Sequence, residues 1–383
     1  MSLKDAYNGE PHFPSRALIS RSAFEHNLGK ARELAGEAQI MAVIKADAYG
    51  HGAEKIGEWA LDAGVEWLAV AQLGEAIALR KTLHERGRML ALIAEPGAPF
   101  WEALELGIDL SVGASWALDE IALAANESKT RARVHIEVDT GMARGGFSLA
   151  ELPSIIPMIA AYAESGLIET VGLWSHLALA DDLESTQTQR QTEDFERAAQ
   201  LFADAGIEIE FHHLAASAGL LWHPETRFSM VRPGIMLYGL SPAPEVATAE
   251  EMGLEPVMRL EADLVSVRDV PAGTGVSYGH TATTQEPMRL GTVPLGYADG
   301  IPRHASNSVE VVIGGQRHKL IGRVCMDQFV VAAPDAVAGD TVTLFGASAS
   351  GFPTADDWAQ HCDTIGYEIV SRLGTRVPRY FVD

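Results

Sequence analysis

Short apolar runs alternate with amphipathic segments over the first two-thirds of the chain, and the alternation is regular enough to imply a fold. The runs occupy residues 40–44, 65–71, 89–94, a weaker 108–112, 132–138, 170–175, 207–213 and 228–231. Short, mainly apolar runs of this length suit parallel strands buried on both faces. Helical periodicity fills the gaps, at 53–63, 73–83, 116–125, 152–163 and 186–204. Eight strands with a helix in nearly every gap is the number that closes a (β/α)8 TIM-type barrel. An open doubly wound sheet would share the rhythm, but no Gly-x-Gly-x-x-Gly follows the first strand.

Beyond Ser241-Pro-Ala-Pro244 the texture changes. An acidic stretch at 245–251 reads as a linker, and period-two segments follow at 260–267, 309–313 and 340–344, closely punctuated by Gly and Pro. Helical signal returns only at 355–360 and 365–373. The chain is expected to be α/β, with a barrel over 17–244 and a smaller mainly-β C-terminal domain over 245–383. The segment 17–22 reads as a strand that joins the second domain.

A length of 383 residues accommodates a barrel and a smaller module. Hydrophobic residues at 47% and charged residues at 21% describe an ordinary globular protein. The formal charge of −23 argues against nucleic acid or an anionic membrane as partner. A phosphate-bearing ligand would therefore need local arginines and backbone amides. With only Cys325 and Cys362, no disulfide framework is available. The stretch up to Arg16 lacks the apolar core of a secretion signal, and no apolar run approaches a membrane span. A cytoplasmic protein is expected, and no metal site.

The polar residues that interrupt the barrel pattern fall at strand C-termini, where barrel enzymes assemble their sites. Lys45 ends the first strand, within Met41-Ala-Val-Ile-Lys-Ala-Asp-Ala-Tyr-Gly-His-Gly52. Asp139-Thr-Gly-Met-Ala-Arg144 follows the fifth, His176 ends the sixth, and His213 ends the seventh, leading into Leu214-Ala-Ala-Ser217. Arg232-Pro-Gly-Ile235 follows the eighth. Each alone reads equally well as structural: a lysine that snorkels outward, a satisfied core histidine, a salt-bridged loop arginine. Together on one rim they point to chemistry. A lysine at the end of a buried strand can lose its proton and attack an aldehyde. The amides of Gly234 and Ile235, with Ser217 from the preceding loop, offer a phosphate site. Pyridoxal 5'-phosphate (PLP) carries both groups. Arg232 facing its pyridine nitrogen would keep that nitrogen unprotonated, which favours quick reprotonation at Cα over transamination or elimination.

The second module carries Gly275-Val-Ser-Tyr-Gly279, Pro294-Leu-Gly-Tyr-Ala-Asp-Gly300 and Gly322-Arg-Val-Cys-Met-Asp-Gln328. Singly, each reads as a tight turn with a packed aromatic. With the Lys45 segment, and with Leu373-Gly-Thr-Arg-Val-Pro-Arg379 near the end, they resemble the bacterial alanine racemases from about Lys45 to Arg379. The resemblance implies a PLP-dependent isomerase that interconverts L- and D-alanine and supplies D-alanine for the cell wall. It implies a head-to-tail homodimer whose sites each join one barrel to the partner's β module. Lys45 would bind PLP and serve one face of a small amino-acid substrate, and Tyr278 from the other chain the opposite face. Arg144 resembles the arginine that contacts this tyrosine and the substrate carboxylate. His176 resembles the histidine beside the cofactor ring, and His213 the one bonded to the ring-facing Arg232. Tyr49, Ser217, Gly234, Ile235 and Tyr367 match phosphate contacts. Met326 and Asp327 match residues that line the substrate pocket, and Tyr297 one that narrows its mouth.

Two positions depart from the family pattern. Glu137 stands where a carbamylated lysine is common, and Ala216 where asparagine is usual. Glu137 is expected to hold Arg144 through its carboxylate, directly or across a water or bound anion. Rival readings are a racemase for another small amino acid such as serine, a barrel-type PLP decarboxylase, and a non-catalytic PLP carrier. The decarboxylase is expected to hold the ring nitrogen with a carboxylate instead of Arg232. Tyr278 and Arg144 would be superfluous in a carrier.

Overall fold

Each of the eight apolar runs forms a strand, and the strands close on themselves. In the computed structural model, which describes residues 13–383, they are Gln39–Val43, Trp67–Val70, Arg88–Ala91, Asp109–Val112, Ala132–Asp139, Ile168–Trp174, Phe211–His213 and Met230–Val231. Every strand pairs in parallel with the next, and Met230–Val231 pairs back onto Gln39–Val43. The polar stretch 1–12, part of the segment read as lacking a secretion signal, lies outside the described residues.

The barrel forms because these strands have little surface for water. Met41, Ala42, Leu68, Ala69, Leu90, Val134, Ile136 and Leu173 are fully buried. Helices Ala53–Asp62, Leu73–Leu83, Phe100–Glu105, Ser115–Ser128, Leu152–Glu164 and Gln187–Asp204 occupy successive gaps. The last of them turns Thr188, Gln191, Thr192, Phe195, Ala198 and Phe202 inward, the spacing of one helical face. The seventh run is shorter than its apolar residues suggest: only Phe211–His213 pairs, because Glu208 and Glu210 alternate with the isoleucines before it.

The barrel belongs to one compact unit, Ser22–Leu254; the other combines Glu255–Asp383 with the described residues ahead of Ser22. Its main sheet has six strands in the order Gln316–Lys319, Glu310–Ile313, Thr341–Phe345, Met258–Asp263, Ser15–Ser20 and Arg379–Val382. Ser15–Ser20 pairs antiparallel with Met258–Asp263 and parallel with Arg379–Val382. The segment 260–267, read as one period-two stretch, is split between two sheets. Met258–Asp263 belongs to the six-stranded sheet and Ser266–Val270 to a three-stranded one with Met288–Val293 and Phe329–Ala332. The alternation breaks at Leu264 and Val265, where Leu264 is buried and Val265 is turned to solvent, so the strand bends from one layer into the other. Among the described residues, no helix is long and apolar enough to cross a membrane.

Inside the barrel the fit is tight at Gly172, on the sixth strand, where a Cβ would overlap the His135 imidazole. Gly172→Ala should therefore overpack the interior and destabilise the barrel by about 1–3 kcal/mol, lowering the midpoint of urea unfolding. An unchanged midpoint would mean that the imidazole is free to move aside.

Candidate active site

Lys45 follows the first barrel strand by one residue, and the backbone beyond it takes a rare path. Ala46, Asp47, Ala48 and Tyr49 all lie in the left-handed region, with φ of 52°, 54°, 53° and 53°. Each such L-residue is disfavoured by roughly 1–2 kcal/mol, so the turn persists only because its surroundings hold it. Glu75 Oε1 accepts the Ala46 amide at 2.6 Å, and Asp47 Oδ1 accepts the Ala53 amide at 2.8 Å. Ala48 N donates to Ile44 O and Gly52 N to Asp47 O, each at 2.9 Å. The second oxygen of Glu75 takes the amides of Ala71 and Gln72 at 3.1 and 3.0 Å. Lys45 itself is half-buried. Burial, then the charges of Arg144 and Arg232, hold its amine below the ordinary lysine value, with Glu75 pulling the other way.

The left-handed turn sends Tyr49 inward, to the loop after the eighth strand. The Tyr49 hydroxyl lies where a Cβ at Gly234 would be, so only glycine leaves room for it. The Tyr49 ring packs on Tyr238 at 4.8 Å, and Tyr238 Oη donates to Val43 O at 2.9 Å. Burial pushes both phenols above their ordinary value. Ser217 Oγ accepts the Gly234 amide at 2.9 Å and approaches the Met236 amide at 3.4 Å. Between these two, the Ile235 amide has no acceptor among the described residues. A buried donor without an acceptor is unfavourable, and an oxyanion in this cradle would satisfy it.

Arg232 connects the cradle to the histidines. It is 2% exposed, and its Nη1 donates to His213 O at 2.6 Å and His213 Nδ1 at 3.1 Å. Its Nη2 donates to Ser175 O at 2.7 Å and Leu214 O at 3.1 Å, and meets His176 Nδ1 at 3.3 Å. The guanidinium stands 5.1 Å from the centre of the Trp174 ring. Burial lowers Arg232 to about 9, with Glu137 resisting and Arg144 adding to the fall. It stays charged at neutral pH. His176 is driven down to about 3 by burial and by Arg232, Arg144 and Lys45, so its imidazole is neutral.

Arg144 is exposed, in a loop shaped by Asp139, whose Oδ1 accepts the amides of Gly141, Met142 and Ala143 at 2.9, 3.0 and 3.1 Å. The expected direct grip of Glu137 on Arg144 is not made: no hydrogen bond or ion pair joins the two. The glutamate arm ends against Gly113 and Gly145, where Cβ atoms would meet its oxygens at 2.8 and 3.4 Å. Burial raises the Glu137 carboxyl above its ordinary value, with Arg144 and Arg232 acting at a distance to lower it.

The other sequence candidates lie on the second unit. Tyr278, Tyr297 and Met326 are 71%, 45% and 53% exposed. Ser277 Oγ donates to Arg323 O at 2.6 Å, which ties the Tyr278 loop to the segment before Met326. Tyr297 N donates to Cys325 O at 3.0 Å and Ala298 N to Met326 O at 2.9 Å. Three separate motifs thus converge. Asp327 is paired with Arg376 at 2.8 Å, and Arg376 also reaches the buried Asp299 at 3.1 Å. Tyr367 is half-buried, on the helix Gly366–Ser371. Sequence reading missed Glu75, Trp174 and Arg376. Glu75 had a visible signal, three residues beyond Gln72 at a helix start; the other two act through space and had none.

Comparison with known proteins gives a consistent result. The family profiles described as alanine racemase, N-terminal domain, and alanine racemase, C-terminal domain, match residues 19–242 and 257–381. The alanine racemase of Beutenbergia cavernae is 52% identical over 97% of this chain and 98% of its own length. That of Frankia casuarinae is 46% identical over 96% of each. The crystal structure of alanine racemase from D-cycloserine producing Streptomyces lavendulae is similar with a TM-score of 0.95, at 40% identity over 98% of both chains. The alanine racemase of Streptomyces coelicolor A3(2) gives 0.94 at 44% identity, over 97% of this chain and 98% of that one.

Glu75→Ala should release three amides at once and loosen the left-handed turn, at about 0.5–1.5 kcal/mol for each hydrogen bond lost, since the Ala46 and Gln72 amides are open to water. Hydrogen exchange should accelerate at Ala46, Ala71 and Gln72. Exchange as slow as in the unmodified protein would show that the turn is held by other contacts.

Proposed function

This chain belongs to the alanine racemase family, whose members are isomerases, and we propose that it interconverts L- and D-alanine with PLP as its cofactor. The observation that carries the reading is the setting of Lys45, a half-buried amine held low beside Arg232 and His176 on one barrel rim. The Ser217, Gly234, Ile235 and Tyr49 cradle fits a phosphate, and the amine fits an aldehyde, so the residues present suit PLP. When bound, PLP supplies an electron sink that acidifies the substrate Cα–H. Lys45 Nζ would hold the cofactor, Arg232 would face its ring nitrogen, and the neutral His176 would flank the ring without adding charge.

Racemisation needs a proton removed from one face of Cα and one delivered to the other, which two groups do better than one. Lys45 Nζ, freed once the substrate amine takes its place on the cofactor, would serve one face. Tyr278 Oη, from the partner chain of a head-to-tail homodimer, serves the other. Arg144 orients the substrate carboxylate and supports the phenolate when Tyr278 acts as base. Met326, Asp327 and Tyr297 restrict the pocket to a small side chain. The exposed cluster of Tyr278, Tyr297 and Met326 supports the dimer, since large apolar side chains grouped on a surface commonly mark an interface. The anchoring of Arg232 speaks for a racemase over a decarboxylase, which would be expected to present a carboxylate there. Supply of D-alanine to the bacterial cell wall, from the cytoplasm, completes the proposal.

Purified protein should be yellow and should carry either alanine enantiomer to zero optical rotation. Borohydride should fix PLP on Lys45, and Lys45→Ala should lose colour and activity together. Label on another lysine, or no change in rotation, would overturn the reading. Tyr278→Phe should keep the colour and lose about 10²–10⁴-fold in turnover, as general acid–base groups typically contribute. Mixing the Lys45→Ala and Tyr278→Phe proteins under subunit exchange should restore part of the activity. No recovery after proven exchange would place Tyr278 and Lys45 of one site in the same chain.

A further inference from the structure

Barrel interiors are ordinarily filled by layers of apolar side chains. This one is threaded by a line of buried ionisable groups that starts at Arg232. His213 Nδ1 faces Arg232 Nη1 at 3.1 Å, and His213 Nε2 faces His135 Nδ1 at 2.9 Å. His135 Nε2 stands 3.5 Å from Asp109 Oδ2, close enough to feel the carboxylate's charge but without a hydrogen bond to it or to any other described group. Asp109 is clasped by two arginines: Arg88 Nη2 reaches Oδ2 at 2.8 Å and Arg133 Nε reaches Oδ1 at 2.7 Å. His135, His213 and Asp109 have no exposure to solvent. Asp109 and Arg88 each begin a barrel strand and Arg133 lies second in its own, so the line runs from the C-terminal rim to the N-terminal ends of the strands.

The charges along the line are settled by its surroundings. Burial pushes both imidazoles below the ordinary histidine value, so both are neutral. Burial alone would raise Asp109, but His135 and the Arg133 guanidinium hold it below the ordinary carboxyl value, so it is ionised. One arrangement of protons then satisfies both hydrogen bonds and turns an N–H toward the carboxylate. A guanidinium only donates, so His213 Nδ1 must be the bare nitrogen and Nε2 must carry the proton. That proton goes to His135 Nδ1, which leaves the His135 proton on Nε2, facing the carboxylate. Reversing either ring would set N–H against N–H at Arg232 or turn a lone pair toward Asp109.

We propose that Asp109 and His135 are positioning residues for Arg232, fixing His213 as the Nε2–H tautomer so that the guanidinium stays anchored through Nη1 and aimed at the cofactor ring. The inference rests on the reading of Arg232 as the ring-facing residue. Burying an aspartate and two histidines in a barrel core is unfavourable where apolar side chains would serve, which speaks against a merely structural line. Gly172, which leaves room for the His135 ring, belongs to the same device.

The tautomers can be read directly. In 15N-histidine-labelled holoenzyme, with resonances assigned by comparison with His135→Phe, His213 and His135 should both show a protonated Nε2 and a bare Nδ1. Asp109→Asn removes the anion at the end of the line and should give a mixture of tautomers at His135 and, through it, a weakened preference at His213, where Arg232 alone still favours a bare Nδ1. It should also shift the absorption band of bound PLP and lower kcat by about 10–100-fold with little change in KM, the scale seen for partners that orient ligating histidines. A proton on His213 Nδ1 in the wild-type protein would overturn the proposal, even if Asp109→Asn failed to fold. So would an Asp109→Asn protein with shifted tautomers but unaltered kcat and absorption band. The spectrum is read whether or not alanine is turned over, so failure of the functional reading and failure of this inference register separately.

Discussion

A guanidinium with almost no surface in water must find an acceptor for its N–H groups, and the barrel rim is arranged around that demand at Arg232. The acceptors are the carbonyls of Ser175, His213 and Leu214 and a ring nitrogen of His213, from the ends of two neighbouring strands. Hydrogen bonds to a charged group are worth roughly 1.5–3 kcal/mol each, so these contacts fix the loops that supply them. The loop from Ser175 carries His176, and the segment from His213 leads to Ser217. The placement of the ring contact and of the phosphate cradle therefore follows from one buried charge. Its electrostatic reach goes further: the same cation helps to keep His176 neutral and the Lys45 amine low.

Much of this was legible in the sequence, for identifiable reasons. The barrel could be read because strands buried on both faces leave mainly apolar runs, and residues at their C-terminal ends share one rim whatever their separation along the chain. The second unit was less legible, since a strand that bends between sheets keeps its period-two texture through the bend, as 260–267 does. The left-handed turn was hidden because Ala-Asp-Ala-Tyr holds no glycine, the residue that usually announces positive φ. The reach of Glu137 was not legible because sequence spacing gives no side-chain direction: its carboxylate ends against Gly113 and Gly145 and acts on Arg144 through charge, without a direct bond. Asp109 and His135 were visible as polar breaks in apolar runs, but only the closed barrel brings them together.

The second unit solves its positioning problem differently. Its candidate residues sit on loops, and the loops are tied to one another more than to regular structure. Gly296 illustrates the arrangement, since a Cβ there would overlap the backbone carbonyls of Cys325 and Met326. Backbone against backbone leaves little play, which gives the exposed Tyr278 and Met326 a stiffer base than loop residues usually have.

The four residues after Lys45 have a stereochemical consequence. The energy map of a D-amino acid is the inversion of the L map, so φ and ψ near +53° and +50°, strained for L-alanine, lie in the most favourable basin of its mirror image. A semisynthetic chain with D-alanine at positions 46 and 48 would follow the same backbone trace at lower internal energy. Beside the lysine, the backbone of this L-protein takes the shape natural to a D-residue.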